Sequence, residues 1–569
     1  MIPANLVFWS PAMPLLHLHS KRSIQIALGR AISALSVVAH LALVCASRVL
    51  ADETVPLVVQ DSLYRTNLAI SNLDLLPAEV SILLYDNSGH LAAQGAVQIP
   101  SLGIVNLREV VSFVFGYPHD MPFEGFVRLR SAARIAAFAS QIRNANGDPG
   151  IIAAMPEDAS HFLLPITTSI EPWSSTLAIV NLAARATVVR ISLRGESGFL
   201  LAETERGLEG GSQWIAANIH RELGIDSVRG SLVVQSLDGA PLAAICRHTQ
   251  TVTREDVFQQ PFDLRRTGKV FYLPYWFAAN LRYSSLVLNN PNSLPASVAL
   301  RILSPDGIAL NEYSIQVPAL GSVIVPDTLF LAGQGGRAPY GMIRGTSNLP
   351  LSGLVIQTDL ATRDTIHTNL LTELSPEILI PSVTQVSPFS SNLLMSNLGN
   401  AATWIEIMHR TVDGHGTAVS KTWLPAQGSV YLDEVLTHLG VPSGYGPLQL
   451  RSVEGQPLAA FSHVSNANNG ARGAVNLVDT RPSTSKRVGQ RMTLQWQYPQ
   501  AEIPKIQEYR IYRADRIERN FQKIASVPIN VLEYTMDAME PGDFVLAVKA
   551  FDGVMESSPS NEVLVQVKP

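Results

Sequence analysis

Apolar and polar residues alternate in short bursts along most of this chain, and the bursts return at a fixed interval. A proline-led segment appears four times, as VPLVV, LPITT, LPYWF and IPSVT, with Pro56, Pro165, Pro274 and Pro381 spaced by 109, 109 and 107 residues. Sixteen residues after each proline stands an asparagine: Asn72, Asn181, Asn290 and Asn397. Eight residues further on an alternating apolar set begins: Val80, Ile82, Leu84; Val189, Ile191, Leu193; Val298, Leu300, Ile302; and Ile405, Ile407. A period of two predicts a strand with one buried face.

Seventeen residues beyond each asparagine comes a glycine, Gly89, Gly198, Gly307 or Gly414, preceded by Ser88, Ser197, Asp306 or Asp413. A small polar residue followed by glycine between apolar runs predicts a hairpin turn. A second glycine follows, read as Gly103, Gly211, Gly321 and Gly428. After it comes a helix-like piece such as NLREVVSFVFG or LDEVLTHLG, closing at Gly116, Gly224, Gly333 and Gly440. Strands of the type EGFVRLRS and RGSLVVQS end each unit and lead into apolar runs such as PLAAICRH.

The fold expected is all-β, a tandem array of four homologous antiparallel β-sandwich repeats of about 108 residues, each with one short helix. The repeats are placed at 52–161, 162–270, 271–378 and 379–480, with a linker at 481–487. At this size each repeat can bury a core of its own, so the four are expected to behave as independent beads.

Residues 488–569 leave the pattern. Trp496 in LQW, Tyr509, Ile511 and Tyr512 in EYRIYR, the stretch MEPGDFVLAVKAFD and the closing SPSNEV together resemble a fibronectin type III domain. The resemblance implies a terminal β-sandwich in which Trp496 packs between the sheets. Phe544 stands where that family places a corner tyrosine.

At the other end, basic Lys21, Arg22 and Arg30 precede the apolar run AISALSVVAHLALVCA, and Val49, Leu50 and Ala51 follow before Asp52. That order predicts a signal peptide over 1–51, hence export, with an uncleaved signal anchor as the alternative. Only Cys246 is left after such cleavage, so no intrachain disulfide forms and each core must suffice without staples. The net charge of -5 comes without any Lys/Arg run, which speaks against nucleic acid as a partner.

The stretch DGHGT around His415 resembles the histidine segment of subtilisin-like proteases, and GTSNLP around Ser347 resembles their serine segment. The repeat register removes both. His415 occupies the position of His90, Phe199 and Ile308, and Ser347 that of Ser131, Ser236 and Ser452. The serine also precedes the histidine, against the subtilisin order. No HExxH, CxxC pair, phosphate-binding loop or GxSxG occurs, and no metal or cofactor is expected.

Among the tryptophans, Trp173 and Trp276 fall near repeat starts, where packing against the preceding domain accounts for them. Trp404 alternates with Ile405 and Ile407, so it is expected to point outward beside Glu406 and Met408 and is the candidate ligand contact. These readings lead to an exported, non-enzymatic binding, adhesion or spacer protein at or outside the cell surface. Its partner would be a protein or a polysaccharide, and several weak sites on one chain would add avidity. The alternative is a carbohydrate-binding accessory protein or a cryptic glycosidase, whose carboxylates assemble from distant strands and leave no local motif.

Overall fold

The computed structural model describes residues 51–253, 255–277, 282–328, 338–360, 364–470, 472–475, 478–479, 491–496, 506–515, 521–529, 531–537, 542–557, 559 and 563–567. The leader, Cys45, Gly333 and the linker lie outside them. Ala51–Pro569 forms one compact unit.

The protein is all-β, with four homologous sandwiches followed by a fifth. In repeat 1 the strands are β1 Ala51–Gln60, β2 Tyr64–Asn72, β3 Ala78–Asp86, β4 Leu91–Ile99, β5 Ile104–Leu107, β6 Phe123–Ser131, β7 Ile135–Arg143, β8 Pro149–Ala153 and β9 Met155–Pro156. They form a five-stranded sheet in the order β4-β3-β6-β1-β9 and a four-stranded sheet in the order β5-β2-β7-β8. The same labels serve the equivalent strands of the other repeats. Repeat 2 reproduces both orders, whereas in repeat 3 β6 and β7 run on as a single strand, Tyr340–Asp359.

The repeated sequence signals have local physical causes. Each ladder between β1 and β6 breaks register at the proline: between Val55 and Val58, Leu164 and Thr167, Leu273 and Trp276, and Ile380 and Val383. Proline has no N–H to give the ladder, and a bulge accommodates it. Each asparagine is buried at the end of β2 and clamps two chain segments. Asn181 donates to the carbonyls of Arg185 and Glu209 and accepts from the Ala183 N–H, and Asn72, Asn290 and Asn397 make the equivalent bonds. An apolar residue there would leave those buried carbonyls unsatisfied.

The short helices are present, and one expectation about the turns needs correction. The helical pieces are single turns: a π-type turn at Val110–Val114 and α-turns at Ile219–Glu222 and Val435–His438. The second glycine is out of register in repeat 2. Gly211, at φ +72°, occupies the left-handed position held by Leu102, Leu320 and Gln427, while Ser212 stands where the others have Gly103, Gly321 and Gly428.

The larger correction concerns the beads. The β3–β4 hairpin of each repeat docks on the loop before β5 of the next, and that of repeat 4 docks on repeat 1. The Gln213 N–H donates to Asn87 O at 2.9 Å, Ser322 N–H to Glu196 O at 2.8 Å, Ser429 N–H to Pro305 O at 2.8 Å and Ile104 N–H to Val412 O at 3.0 Å. The β8 strands also meet in a closed cycle, repeat 1 against 2, 2 against 3, 3 against 4 and 4 against 1. The four sandwiches therefore close into a ring of approximate fourfold repetition.

Burial follows from that closure. The inner face of each four-stranded sheet packs on its own five-stranded sheet, and its outer face packs on the preceding repeat. Ile245 joins the core of repeat 1, Phe461 that of repeat 3 and Phe138 that of repeat 4. Strands β2 and β7 are apolar on both faces for this reason, as the runs LAIV and LAAIC show.

The terminal sandwich has a two-stranded sheet, Arg491–Gln495 with Glu533–Asp537, and a four-stranded one built on Glu508–Asp515 and Gly542–Phe551. Trp496 meets Tyr509 edge-on at 5.5 Å between them, and Arg513 lies over the Phe544 ring.

Candidate binding face

The protease-like stretch is the joint that closes the ring. Gly414, at φ +84°, lies so close to repeat 1 that a Cβ there would stand 1.9 Å from Ser101 O. His415 projects from the turn with 84% of its side chain exposed. Its main-chain carbonyl accepts from the Thr411 N–H at 2.9 Å. Ser347 accepts from the Leu349 N–H at 3.3 Å. The two stay in their separate structural roles.

Several buried titratable groups are found at the joints between repeats. Between repeats 1 and 2, Tyr64 donates to Asp256 at 2.5 Å and Arg143 lies 3.7 Å from the same carboxylate. Between repeats 3 and 4, Arg472 pairs with Asp364 at 2.9 Å and donates to Gln357. Between repeats 2 and 3, the His248 ring lies 5.2 Å from that of His367. Burial pushes His248 down to about 4 and lowers His367 well below its ordinary value. Burial likewise raises Asp148 and Asp364 to about 7. Cys246 is wholly buried in the core of repeat 2, which pushes its thiol up out of the nucleophilic range. Among the described residues no group of three or more His, Cys, Asp or Glu could hold a metal ion.

The outer faces of the five-stranded sheets are covered by the next repeat in part, as at Phe126 and at Leu303 and Met342, and the β3–β4 ladders stay largely open to solvent. In repeat 4, β3 is Thr403–Arg410 and β4 is Gly416–Leu424. Trp404 points outward, 45% exposed, and Trp423 stands directly opposite it, 51% exposed. Glu454 accepts from the Trp404 N–H at 2.8 Å and from the Thr403 hydroxyl at 2.6 Å, which holds its carboxyl below the usual range and fixes the start of the strand. The next pair along the ladder is Glu406 with Lys421, joined at 2.9 Å, followed by Met408 opposite Val419. Two indoles on neighbouring strands, edged by charged side chains of both signs, make a flat apolar surface with hydrogen-bonding groups beside it.

This face is peculiar to repeat 4. The positions of Trp404 and Trp423 hold Glu79 and Gln98 in repeat 1, Val188 and Gly207 in repeat 2, and Ser297 and Gln316 in repeat 3. Trp423 was not singled out from the sequence, yet counting back from the Gly414 turn places it opposite Trp404. Trp173 is half-buried at the start of β2, and Trp214 carries Arg206 over its ring at 5.4 Å. The side chain of Trp276 lies outside the described set.

No protein-family model matches the chain, and no curated protein matches it. Among solved structures, a protein titled Thermotoga maritima 1070 is similar at 16% identity, over 19% of this chain and 96% of that one, with a TM-score of 0.17. The chicken CNTN1 FN1-FN3 domains are similar at 11% identity, over 53% of this chain and 99% of theirs, with a TM-score of 0.14. A beta-1,2-glucanase from Parabacteroides distasonis is similar at 13% identity, over 53% of this chain and 39% of that one, with a TM-score of 0.13.

Proposed function

We propose that this is an exported, non-enzymatic binding protein whose ring of four sandwiches holds one ligand face rigidly, at Trp404 and Trp423 of repeat 4, and that the ligand is a polysaccharide. The terminal sandwich is of the fibronectin type III kind. The observation that carries the reading is the cross-strand pair of half-exposed indoles. Such rings stack on the flat faces of sugars, and an isolated buried role would not leave them in solvent. The closed ring supports a compact hub over an extended spacer. The differing outer faces support one site over avidity among four equal ones.

Retention of the chain from Ala51 onward on insoluble polysaccharides tests this. Wild-type protein is expected to bind at least one of them, with Trp404→Ala and Trp423→Ala each weakening binding by about tenfold or more. Failure of the wild type across the panel removes the polysaccharide. Binding indifferent to both substitutions moves the site elsewhere.

A further inference from the structure

We propose that the β4 edge of repeat 1, Leu91–Ile99, pairs with the same edge of a second copy of this chain, joining two five-stranded sheets into one continuous sheet. Strand β4 ends the sheet order, paired on one side with β3 alone. Among the described residues no main-chain bond reaches Leu91–Ile99 from beyond β3. An edge of nine residues presents a row of unpaired N–H and C=O groups, which proteins that stay apart protect with charge, proline or a covering element.

The other three repeats carry such protection. Their β4 strands contain Glu203, Glu205 and Arg206 in repeat 2, Glu312 in repeat 3 and Lys421 in repeat 4. The sequence LAAQGAVQI of repeat 1 has no charge and no proline. Its centre is Gly95, where the edge has no side chain.

The strand is complementary to itself. In an antiparallel pairing centred on Gly95, Ala93 faces Val97 and Gln94 faces Ala96. Ala93, Gly95 and Val97 stand opposite Leu84, Ile82 and Val80, so they lie on the core side and would meet their counterparts there. Gln94 and Ala96 lie on the solvent side, where no charges oppose. The same operation on repeat 2 centres on Thr204 and sets Glu203 against Glu205 twice, a repulsive arrangement. Beneath the edge, Phe115 and Val114 lie within 4 Å of where a Gly95 Cβ would stand, and Phe113 nearby is 65% exposed. A second copy is thus the occupant that matches this edge in polarity on both faces.

The mass in solution of the chain from Ala51 onward, by sedimentation equilibrium across its soluble concentration range, tests the proposal. The wild type is expected to reach the dimer. The double substitution Gln94→Lys with Ala96→Lys, which opposes like charges twice across the twofold axis, is expected to return it to the monomer, with a thermal midpoint equal to that of the wild type at dilutions where the wild type has dissociated. Thr204→Lys on the protected edge of repeat 2 should leave the dimer intact. A wild type that stays monomeric at its highest concentration overturns the proposal, as does a dimer that persists in the double variant. Neither result bears on the tryptophan face, which lies on a different repeat.

Discussion

Repeats 2 and 4 share their strands and the registers of their β3–β4 and β2–β7 ladders, although β1 and β2 of repeat 4 also pair and join its two sheets, and their outward faces have almost nothing in common. On repeat 2 the β3–β4 ladder sets Arg190 against Glu205 at 2.8 Å, Ser192 against Glu203 at 2.6 Å and Val188 against Gly207. On repeat 4 the same three rows hold Glu406–Lys421, Met408–Val419 and Trp404–Trp423. The inward residues Val189, Ile191 and Leu193 of one match Ile405, Ile407 and His409 of the other, all buried. Packing holds the inward set and the docking turns to a common solution. The outward set carries no such constraint and is free to differ.

The largest expected effect strikes what the two repeats share. Gly198→Val and Gly414→Val each force a branched side chain onto a left-handed backbone and into a carbonyl of the neighbouring repeat, 1.9 Å from the new Cβ in both cases. Each should cost on the order of 3 kcal/mol or more in urea unfolding. A large loss in repeat 2 with none in repeat 4 would show that the ring does not close through the DGHGT turn.

Next comes a difference in buried polarity. His248 of repeat 2 corresponds to Val464 of repeat 4 and to Gln141 and Gln357 of repeats 1 and 3. Its folded pKa is about 4 against an ordinary 6.5, so the unfolded chain binds more protons between those values. Stability is then intact above pH 6.5, falls as the pH drops through the window and is fully lost below about 4, up to ~3 kcal/mol for this one group. Asp148 and Asp364, raised to about 7, work in the opposite sense: their contribution is present at acid pH and fades as the pH climbs from about 4 to 7. His248→Gln isolates the first effect. Chemical unfolding at several pH values should show the variant losing less than the wild type between pH 6.5 and 4, and parallel curves would refute the assignment.

A smaller gain is expected at His220. It is fully buried in the single turn of repeat 2, neither ring nitrogen has a hydrogen-bond partner, and repeat 4 places Leu436 there. Burial pushes this imidazole down to about 4. His220→Leu should stabilise the protein by about 1 kcal/mol at neutral pH, read as a raised denaturation midpoint. The smallest effect belongs to the surface ladder. Arg190→Ala should change stability by less than about 0.5 kcal/mol and leave polysaccharide retention as it was.

Much of the fold is legible in the sequence. The period of two, the turn glycines and the fixed spacing from proline to asparagine all report on chemistry within one repeat: a bulge where an N–H is missing, a clamp where carbonyls need a donor, a positive φ where no Cβ fits. Trp404 was legible for the same reason, since alternation with Ile405 and Ile407 decides its side of the strand. The short helices were legible too, from the apolar positions and the glycine that closes each piece, while their length of a single turn was not.

What the chain determined by itself, then, is the set of sandwiches, their registers and which residues face out. The ring was decided only by tertiary structure. Its joints are made of main-chain groups, such as the Ile104 N–H on Val412 O, and of second faces of strands whose unbroken apolar runs look the same whether a neighbour covers them or not. Main-chain hydrogen bonds between distant segments leave no mark on residue type. The pairing of Trp423 with Trp404 lies between the two cases, fixed by local register yet meaningful only because the ring leaves that face open.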